Sequence, residues 1–235
     1  MDSLPVDFRD KDKGFLAYTQ RIVGIHAPPS QAPKLRKLYS FFFRNHAIYR
    51  FCCILHGTQA LSGKATAIPK QDIDALPYPK NPMDLSFSFW ENVIQNDVLS
   101  YMADYVRLGQ NSQLLREKAK SDDLKNYSTM FCRMLGSIYS TLKANNPIFW
   151  NNLICQPFYF GDSPELTWLD SDAEANLEKL IYYENHERLR TVRVFRFYDK
   201  NVLLIVKPDR LRYWIRSTAI RDADDTLTEL YHQGY

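Results

Sequence analysis

Glycine is scarce in this chain, with 8 among 235 residues. No glycine-rich turn leads from a predicted strand into a helix, which argues against a binding loop for a dinucleotide or for S-adenosylmethionine. A look-alike of the phosphate loop, Gly57 followed by Gly63 and Lys64, has five residues between its glycines where the motif has four. We therefore expect the chain to bind no cofactor.

Long apolar runs are absent as well. The longest uncharged candidate, residues 144–161, contains four Asn, one Gln and two Pro, which the hydrocarbon of a bilayer rejects. The first fourteen residues are charged where a signal peptide would be apolar. These features predict a cytoplasmic protein that does not cross a membrane.

The four cysteines, Cys52, Cys53, Cys132 and Cys155, have no zinc-ligand spacing. In a cytosolic protein they are expected to be reduced thiols. No His is placed with a second His at a spacing that suits a metal, so no metal site is predicted.

Motifs for covalent or metal-dependent catalysis are missing too. The chain lacks a Gly-X-Ser-X-Gly nucleophile turn. Asp222, Asp224 and Asp225 lie close together, but positions 222 and 224 face apart on a helix. A solvated acidic face is the favoured interpretation of this cluster, and a metal-dependent nuclease is the alternative. The sequence therefore predicts a protein that is not itself an enzyme.

The formal net charge of +3 is unevenly distributed. Residues 1–80 hold 12 basic and 6 acidic side chains, residues 81–180 hold 8 and 13, and residues 181–235 hold 10 and 8. An acidic middle between basic ends is expected if the ends bind a polyanion. Ordinary variation of the surface explains the pattern equally well, and both interpretations stay open.

The apolar spacing predicts an α+β fold with helix-rich amino-terminal and middle parts and a smaller carboxy-terminal α/β part. Helices are expected over residues 33–55, 84–143 and 171–183, with a turn or short helix over 68–79. Residues 148–160 are expected to contain a strand and residues 191–206 to form a β-hairpin. An amphipathic helix is expected to begin at Pro208, and it either extends over residues 223–230 or is followed by a second helix there. The predicted parts are residues 1–80, 81–143 and 144–235.

The carboxy-terminal part is rich in arginine. Nine cations lie within the 29 residues from Arg188 to Arg216, with Tyr198, Tyr213 and Trp214 among them. Arginine-rich hairpins with aromatic residues suit contacts with phosphates and stacking of bases. The competing interpretation, slightly favoured, is that alternate arginines occupy the solvent face of a half-buried sheet.

The segment from Gln59 to Pro79 carries a family resemblance. Seven of its residues match the pattern Ile-X-Lys-X-Asp-Ile/Leu-X-X-Leu-Pro-X-Pro, namely Ile68, Lys70, Asp72, Ile73, Leu76, Pro77 and Pro79. The segment resembles the carboxy-terminal specificity region of adenine-specific DNA methyltransferases of type I and type IIG restriction-modification systems. Residues 211–225 are similar to the tails of methylase-like proteins of bacterial phage-defence loci. In physical terms, Asp72 is expected to cap a short helix and the prolines to lead the chain out of it.

The resemblance implies a DNA-recognition or assembly subunit of a prokaryotic methyltransferase-based restriction or anti-phage complex. The catalytic Asn-Pro-Pro-Tyr tetrapeptide of the family is missing, so catalysis is expected in a larger partner chain. The implied partners are this methyltransferase-type subunit and DNA. The expected DNA-binding residues are Gln59, Lys64, Thr66, Lys70, Arg193, Arg196, Arg212 and Arg216. An adaptor that binds only proteins of such a complex is the alternative.

Overall fold

The computed structural model of the chain describes residues 25, 28–58, 68–78, 80, 85–139, 141–183, 188–198, 201–232 and 234. They belong to two compact units, Met1–Gly109 and Gln110–Tyr235. The fold is α+β, as predicted, with helices in the described part of the first unit and helices plus an antiparallel sheet in the second. The division of the chain at residues 80 and 143 stays a prediction.

The described part of the first unit is helical. Its α-helices are α1 (Ala32–Arg44), α2 (His46–His56), α3 (Lys70–Asp74), α4 (Phe89–Asp97) and α5 (Ala103–Leu108), and a π-helical turn, Val98–Met102, joins the last two. The single helix predicted over residues 33–55 is divided at Asn45, whose side-chain amide donates to the carbonyl of Phe41 over 2.9 Å. A short helix within 68–79 is confirmed by α3.

Aromatic side chains build the core of the first unit. Phe41 of α1 and Tyr49 of α2 are buried, with ring centroids 6.0 Å apart in an edge-to-face arrangement. The ring of Tyr78 meets Phe41 edge to face at 5.1 Å. Pairs of this geometry stabilise a fold beyond the area that they bury. They hold the chain after α3 against the α1–α2 pair.

The second unit carries the sheet. Its helices are α6 (Gln113–Arg116), α7 (Ser121–Leu135), α8 (Ser171–Ile181) and α9 (Arg216–His232), and its strands are β1 (Leu142–Ala144), β2 (Ile148–Phe149), β3 (Leu153–Phe160), β4 (Val194–Tyr198) and β5 (Val202–Pro208). The strand order is β1-β3-β5-β4, with β2 also paired to β3, and every pairing is antiparallel. The predicted strand in 148–160, the helix from Ser171 and the hairpin in 191–206 are confirmed.

Two boundaries predicted for this unit are wrong. The helical stretch expected to reach Lys143 ends at Leu135, and residues 142–144 form β1 instead. The helix expected to begin at Pro208 begins at Arg216, because Pro208 is the last residue of β5. The carbonyl of Pro208 accepts a hydrogen bond from the indole Nε1 of the buried Trp214 over 2.9 Å, which fixes the connection between the two elements.

Alternate residues of β5 point to opposite faces of the sheet, and both faces are buried. Val202, Leu204 and Val206 belong to one apolar cluster with Leu177 and Ile181 of α8. The opposite set, Leu203, Ile205 and Lys207, is buried on the face that carries α7 and α9. The second unit therefore has helices on both sides of its sheet, and β5 runs through its centre.

Candidate functional site

The segment with the family resemblance is anchored by two side-chain contacts. The hydroxyl of Tyr49 on α2 donates to the carbonyl of Pro77 over 2.7 Å. The carboxylate of Asp72 accepts from the backbone N–H of Thr58 (3.0 Å) and from its hydroxyl (3.2 Å). The expectation that Asp72 caps a short helix is wrong, because α3 begins after Pro69 without a side-chain cap. Asp72 instead joins the two ends of the 58–72 stretch.

Lys70 lies on α3 with its side chain 78% exposed, and its ammonium group contacts Asp74 one turn later over 2.5 Å. Such an exposed pair contributes little to stability. The other residues expected to bind DNA in this segment, Gln59, Lys64 and Thr66, lie outside the described residues.

Arg193 precedes β4 and turns into the second unit. Its guanidinium group forms ion pairs with Asp222 and Asp225 of α9, and its side chain is 23% exposed. The guanidinium group that was predicted to bind phosphates is therefore paired with two carboxylates. Its role in binding DNA stays a prediction, with this internal role beside it.

Asp222 is the centre of a buried polar cluster. Its side chain is fully buried and contacts Arg193, the ammonium group of Lys207 and the hydroxyl of Tyr127, the last over 2.7 Å. Lys207 also donates to the carbonyl of Tyr213 over 2.8 Å. The solvated acidic face expected at 222–225 is therefore wrong for Asp222. Because cations occupy its oxygens, this carboxylate is not arranged to bind a catalytic metal.

Burial controls the protonation chemistry of this cluster. The Lys207 ammonium lies between the rings of Tyr127 (4.5 Å to the centroid) and Trp214 (4.9 Å). Loss of hydration lowers the pKa of Lys207 to about 8, against the opposing attraction of Asp222. Burial first and the Asp222 charge second raise the pKa of Tyr127 well above its usual value. Lys207 and Asp222 are closed to solvent and Arg193 is partly exposed at the edge of the cluster, so we assign the cluster a structural role.

The three remaining predicted DNA-binding residues are dispersed over the second unit. Arg196 lies in β4 opposite Leu204 of β5. Arg216 is the first residue of α9 and is half-buried. Arg212 is exposed, in a short 3₁₀ turn, Leu211–Tyr213. Among the selected arginines whose side chains the structure describes, Arg212 is exposed, whereas Arg193 and Arg216 are partly buried.

Two groups of arginines and tyrosines lie on the second unit, one at residues 182–183 and 188–190 and one at residues 210–213, and both segments contribute to the lining of one pocket. The guanidinium group of Arg212 lies 4.6 Å from the ring centroid of Tyr213 and donates to its hydroxyl over 2.5 Å. Arg188 and Arg190 lie over the ring of Tyr183, at 5.9 and 5.0 Å. We call the two groups together the arginine–tyrosine surface; its members are Tyr182, Tyr183, Arg188, Arg190, Arg210, Arg212 and Tyr213.

A pocket of about 300 Å³ opens in this surface. Backbone pairings connect its lining residues, since Tyr182 forms an antiparallel bridge with Leu189 and Asp209 donates its N–H to the carbonyl of Asn152 over 3.1 Å. Its lining residues are Asn152, Tyr182, Leu189, Pro208, Asp209, Arg210, Arg212 and Tyr213. Among the residues that the structure describes, the carboxylate of Asp209 is paired with Lys118 and not with either arginine of the pocket. The pocket can therefore offer two guanidinium groups to an anion.

The cysteines are free thiols, as expected. Burial raises the pKa of Cys132 to about 11 and that of Cys155 to about 12, so neither is a thiolate at neutral pH. Within the described ranges, no group of three or more His, Cys, Asp or Glu side chains is arranged to hold a metal ion. None of the helices described is both long and apolar enough to span a bilayer.

Sequence analysis missed the residues that organise the second unit. Lys207 was grouped with the nine cations of residues 188–216, which were assigned to phosphate contacts or to a solvent face. It follows the apolar run Val202–Val206 on a strand whose two faces are both buried. A cation in such a run needs a buried acid, and Asp222 on the next helix supplies it. This was the signal available in the sequence.

No family model matches this chain, and the searches of curated proteins and of solved structures found no significant match.

Proposed function

We propose that this chain is a non-catalytic DNA-binding and assembly subunit of a cytoplasmic, prokaryotic methyltransferase-based restriction or anti-phage complex. The observation that carries the proposal is the arginine–tyrosine surface. Arginine guanidinium groups bind phosphate oxygens in a bidentate manner, and tyrosine rings stack on bases. In this proposal the catalytic chain is a separate, larger methyltransferase.

The local backbone supports the use of this surface for binding. Leu211, between Arg210 and Arg212, is buried, and its N–H donates to the carbonyl of Glu117 over 3.0 Å. Ala119 donates its N–H to the carbonyl of Asp209 over 3.3 Å. These two backbone hydrogen bonds fix residues 209–211 on their buried side, while the side chains of Arg210 and Arg212 are exposed. A fixed backbone lowers the entropy cost of binding.

The methyltransferase partner rests on the resemblance of the segment that ends at Pro79. The described part of this segment is a short helix followed by a turn, and the hydrogen bond between Tyr49 and Pro77 attaches it to α2. A segment fixed in this way suits a connection between a DNA-reading part and a spacer. This part of the proposal is tested separately from DNA binding.

Replacing Arg210 and Arg212 together with alanine is expected to weaken binding to duplex DNA by tenfold or more. Each lost phosphate contact reduces the slope of log affinity against log salt concentration by about 1, so the double variant is expected to lose about 2. Fluorescence anisotropy with a labelled 20-base-pair duplex at several salt concentrations measures both quantities.

The matched control is the variant Lys125→Ala/Lys179→Ala, which removes the same charge from exposed positions of α7 and α8. We expect it to change the affinity by less than twofold. If both double variants weaken binding equally, net charge and not this surface is responsible. If the unaltered protein does not bind duplex DNA at low salt, the DNA-binding proposal fails.

Affinity purification from a prokaryotic host that encodes the chain is expected to recover a larger protein that contains Asn-Pro-Pro-Tyr. Mass spectrometry identifies the partner, and nuclease treatment before elution shows whether DNA bridges the two proteins. Recovery of partners without any methyltransferase contradicts the split-subunit proposal.

A protein-binding adaptor is the second candidate, and one observation favours it. The first unit exposes large apolar side chains on several helices and their connections: Phe43, Leu55, Tyr78, Phe89 and Leu108 are each more than 40% exposed. Exposed apolar groups of this size are typical of protein interfaces when they form a patch. Partner recovery together with no measurable DNA binding supports the adaptor.

A further inference from the structure

The pocket in the arginine–tyrosine surface has a composition that ordinary surface depressions lack. Arg210 and Arg212 provide positive charge, and Tyr182 provides a half-buried ring and a hydroxyl group, whereas Tyr213 is 9% exposed and holds Arg212. Asn152 lies at the same site, and its carbonyl also lies 3.5 Å from the hydroxyl of Tyr182. Cations, aromatic rings and an amide therefore surround one concave volume.

The size of the pocket limits the ligand. A volume of about 300 Å³ lies at the lower end of the range for small-molecule sites. It is too small for a dinucleotide cofactor, and a base pair inside a duplex cannot enter a concave site of this kind. A single nucleotide whose base is unpaired fits these limits, because its phosphate can bind the arginines and its base can stack on a tyrosine ring.

The carboxylate of Asp209 does not neutralise the positive charge of the two arginines that line the pocket. Asp209 is nine-tenths buried, and its carboxylate is paired with the exposed ammonium group of Lys118. The Arg212 guanidinium is also pre-oriented, because it lies over the ring of Tyr213 and donates to its hydroxyl. A guanidinium that is already stacked loses less freedom when it binds an anion.

We infer that this pocket binds one nucleoside monophosphate unit with an unpaired base, its phosphate on Arg210 and Arg212 and its base against Tyr182. The inference rests on the proposed function and makes it more specific, since it adds recognition of an unpaired nucleotide to binding of the DNA backbone. The unit comes either from a single strand or an extruded position of DNA, or from a free mononucleotide.

The experiment compares three probes on the full chain. They are a labelled single-stranded 12-mer of thymidylate, a labelled 20-base-pair duplex, and free thymidine monophosphate as competitor against the 12-mer. Removing one base-stacking ring weakens single-strand binding by about 5- to 150-fold. Tyr182→Leu is expected to produce a loss in this range for the 12-mer and less than a twofold change for the duplex.

Two variants serve as controls. Tyr231→Leu makes the same chemical change at an exposed tyrosine of α9, outside the arginine–tyrosine surface and the pocket, and it is expected to retain binding of the 12-mer. Tyr182→Phe keeps the ring and is expected to restore most of the affinity. Thermal unfolding of each variant checks its fold.

A measurement without substitutions keeps the inference testable if Tyr182→Leu does not fold. A 12-mer with 5-bromouracil in place of thymine is irradiated on the unaltered protein, and the cross-linked peptide is identified by mass spectrometry. We expect a peptide that contains Tyr182 or Tyr213. Cross-links confined to other parts of the chain overturn the inference.

The outcomes separate this inference from the proposed function. Competition by thymidine monophosphate at micromolar concentration supports the site with a free nucleotide as its source, and binding of the 12-mer without such competition supports a DNA strand. If the duplex binds through Arg210 and Arg212 while Tyr182→Leu leaves 12-mer binding unchanged, the pocket inference fails and the proposed function stands. If no DNA probe binds and thymidine monophosphate does not bind, both fail.

Discussion

Replacing Asp222 with alanine is expected to lower the free energy of unfolding of the second unit by about 3–5 kcal/mol. The substitution leaves the fully buried Lys207 ammonium without its carboxylate and removes one of the two acids that hold Arg193. It also leaves the buried hydroxyl of Tyr127 without its acceptor. Breaking a buried ion pair on one side is strongly destabilising because the remaining charge cannot recover its hydration. Urea unfolding at pH 7, followed by tryptophan fluorescence, measures the change.

Asp225→Ala provides the matched control for this effect. Asp225 pairs with the same guanidinium group of Arg193, but its side chain is 42% exposed. Exposed pairs contribute about 1 kcal/mol or less, so a small loss is expected. Equal losses for the two variants contradict the assignment of Asp222 as the centre of the cluster. The double variant Lys207→Met/Asp222→Leu removes both buried charges and is expected to be more stable than Asp222→Ala alone.

Elements with strong local signals were predicted correctly. α8 follows Asp170, whose carboxylate accepts from the N–H groups of Asp172 (3.1 Å) and Ala173 (3.0 Å) at the start of the helix. The β4–β5 hairpin follows from two apolar runs on either side of a polar tip, where Asn201 has a positive φ of 55°. In both cases the information lies within a few residues, so a single sequence is sufficient.

The buried cluster could not be predicted in the same way. Lys207 and Asp222 are 15 residues apart in the chain, and Arg193 and Asp222 are 29 apart. Helical periodicity places Asp222 on one side of α9, but it does not identify the layer that packs there. The acid was therefore assigned to solvent, whereas α9 buries it against the strand that carries Lys207.

The candidate site was predicted only in outline for a related reason. The sequence shows the arginine-rich stretch, but tertiary contacts decide which of its arginines are buried in ion pairs and which are exposed. Arg193 turns inward to two acids, and Arg212 stays exposed on Tyr213. Tyr182 was not selected at all, because nothing local in the sequence indicates that the turn after α8 meets the segment after β5.

Lys207 is expected to add about 2 kcal/mol of stability between pH 7.5 and pH 9.5, measured as the difference from Lys207→Met. The difference is needed because the raised pKa values of Cys132 and Cys155 lower stability over the same range in both proteins. The pKa of Lys207 is about 8 in the folded protein and close to 10.5 in the unfolded chain, where the side chain is hydrated. Between these values the unfolded state binds more protons at this group than the folded state, so its contribution to stability increases with pH. The burial that lowers this pKa is reinforced by the nearby charges of Arg193 and Arg221, against the opposing attraction of Asp222.

Lys207→Met is the variant that isolates this effect. Methionine keeps much of the volume between the rings of Tyr127 and Trp214, and Asp222 retains Arg193 and the Tyr127 hydroxyl as partners. Urea unfolding of both proteins at pH 7.5 and pH 9.5 measures the effect, and the unaltered protein is expected to gain about 2 kcal/mol relative to the variant over this range. The comparison stops at pH 9.5, since the raised pKa of Tyr127 makes stability fall where unfolded tyrosines ionise, near pH 10. The same pH dependence in both proteins would mean that Lys207 stays charged throughout this range, held by Asp222 more strongly than burial opposes it.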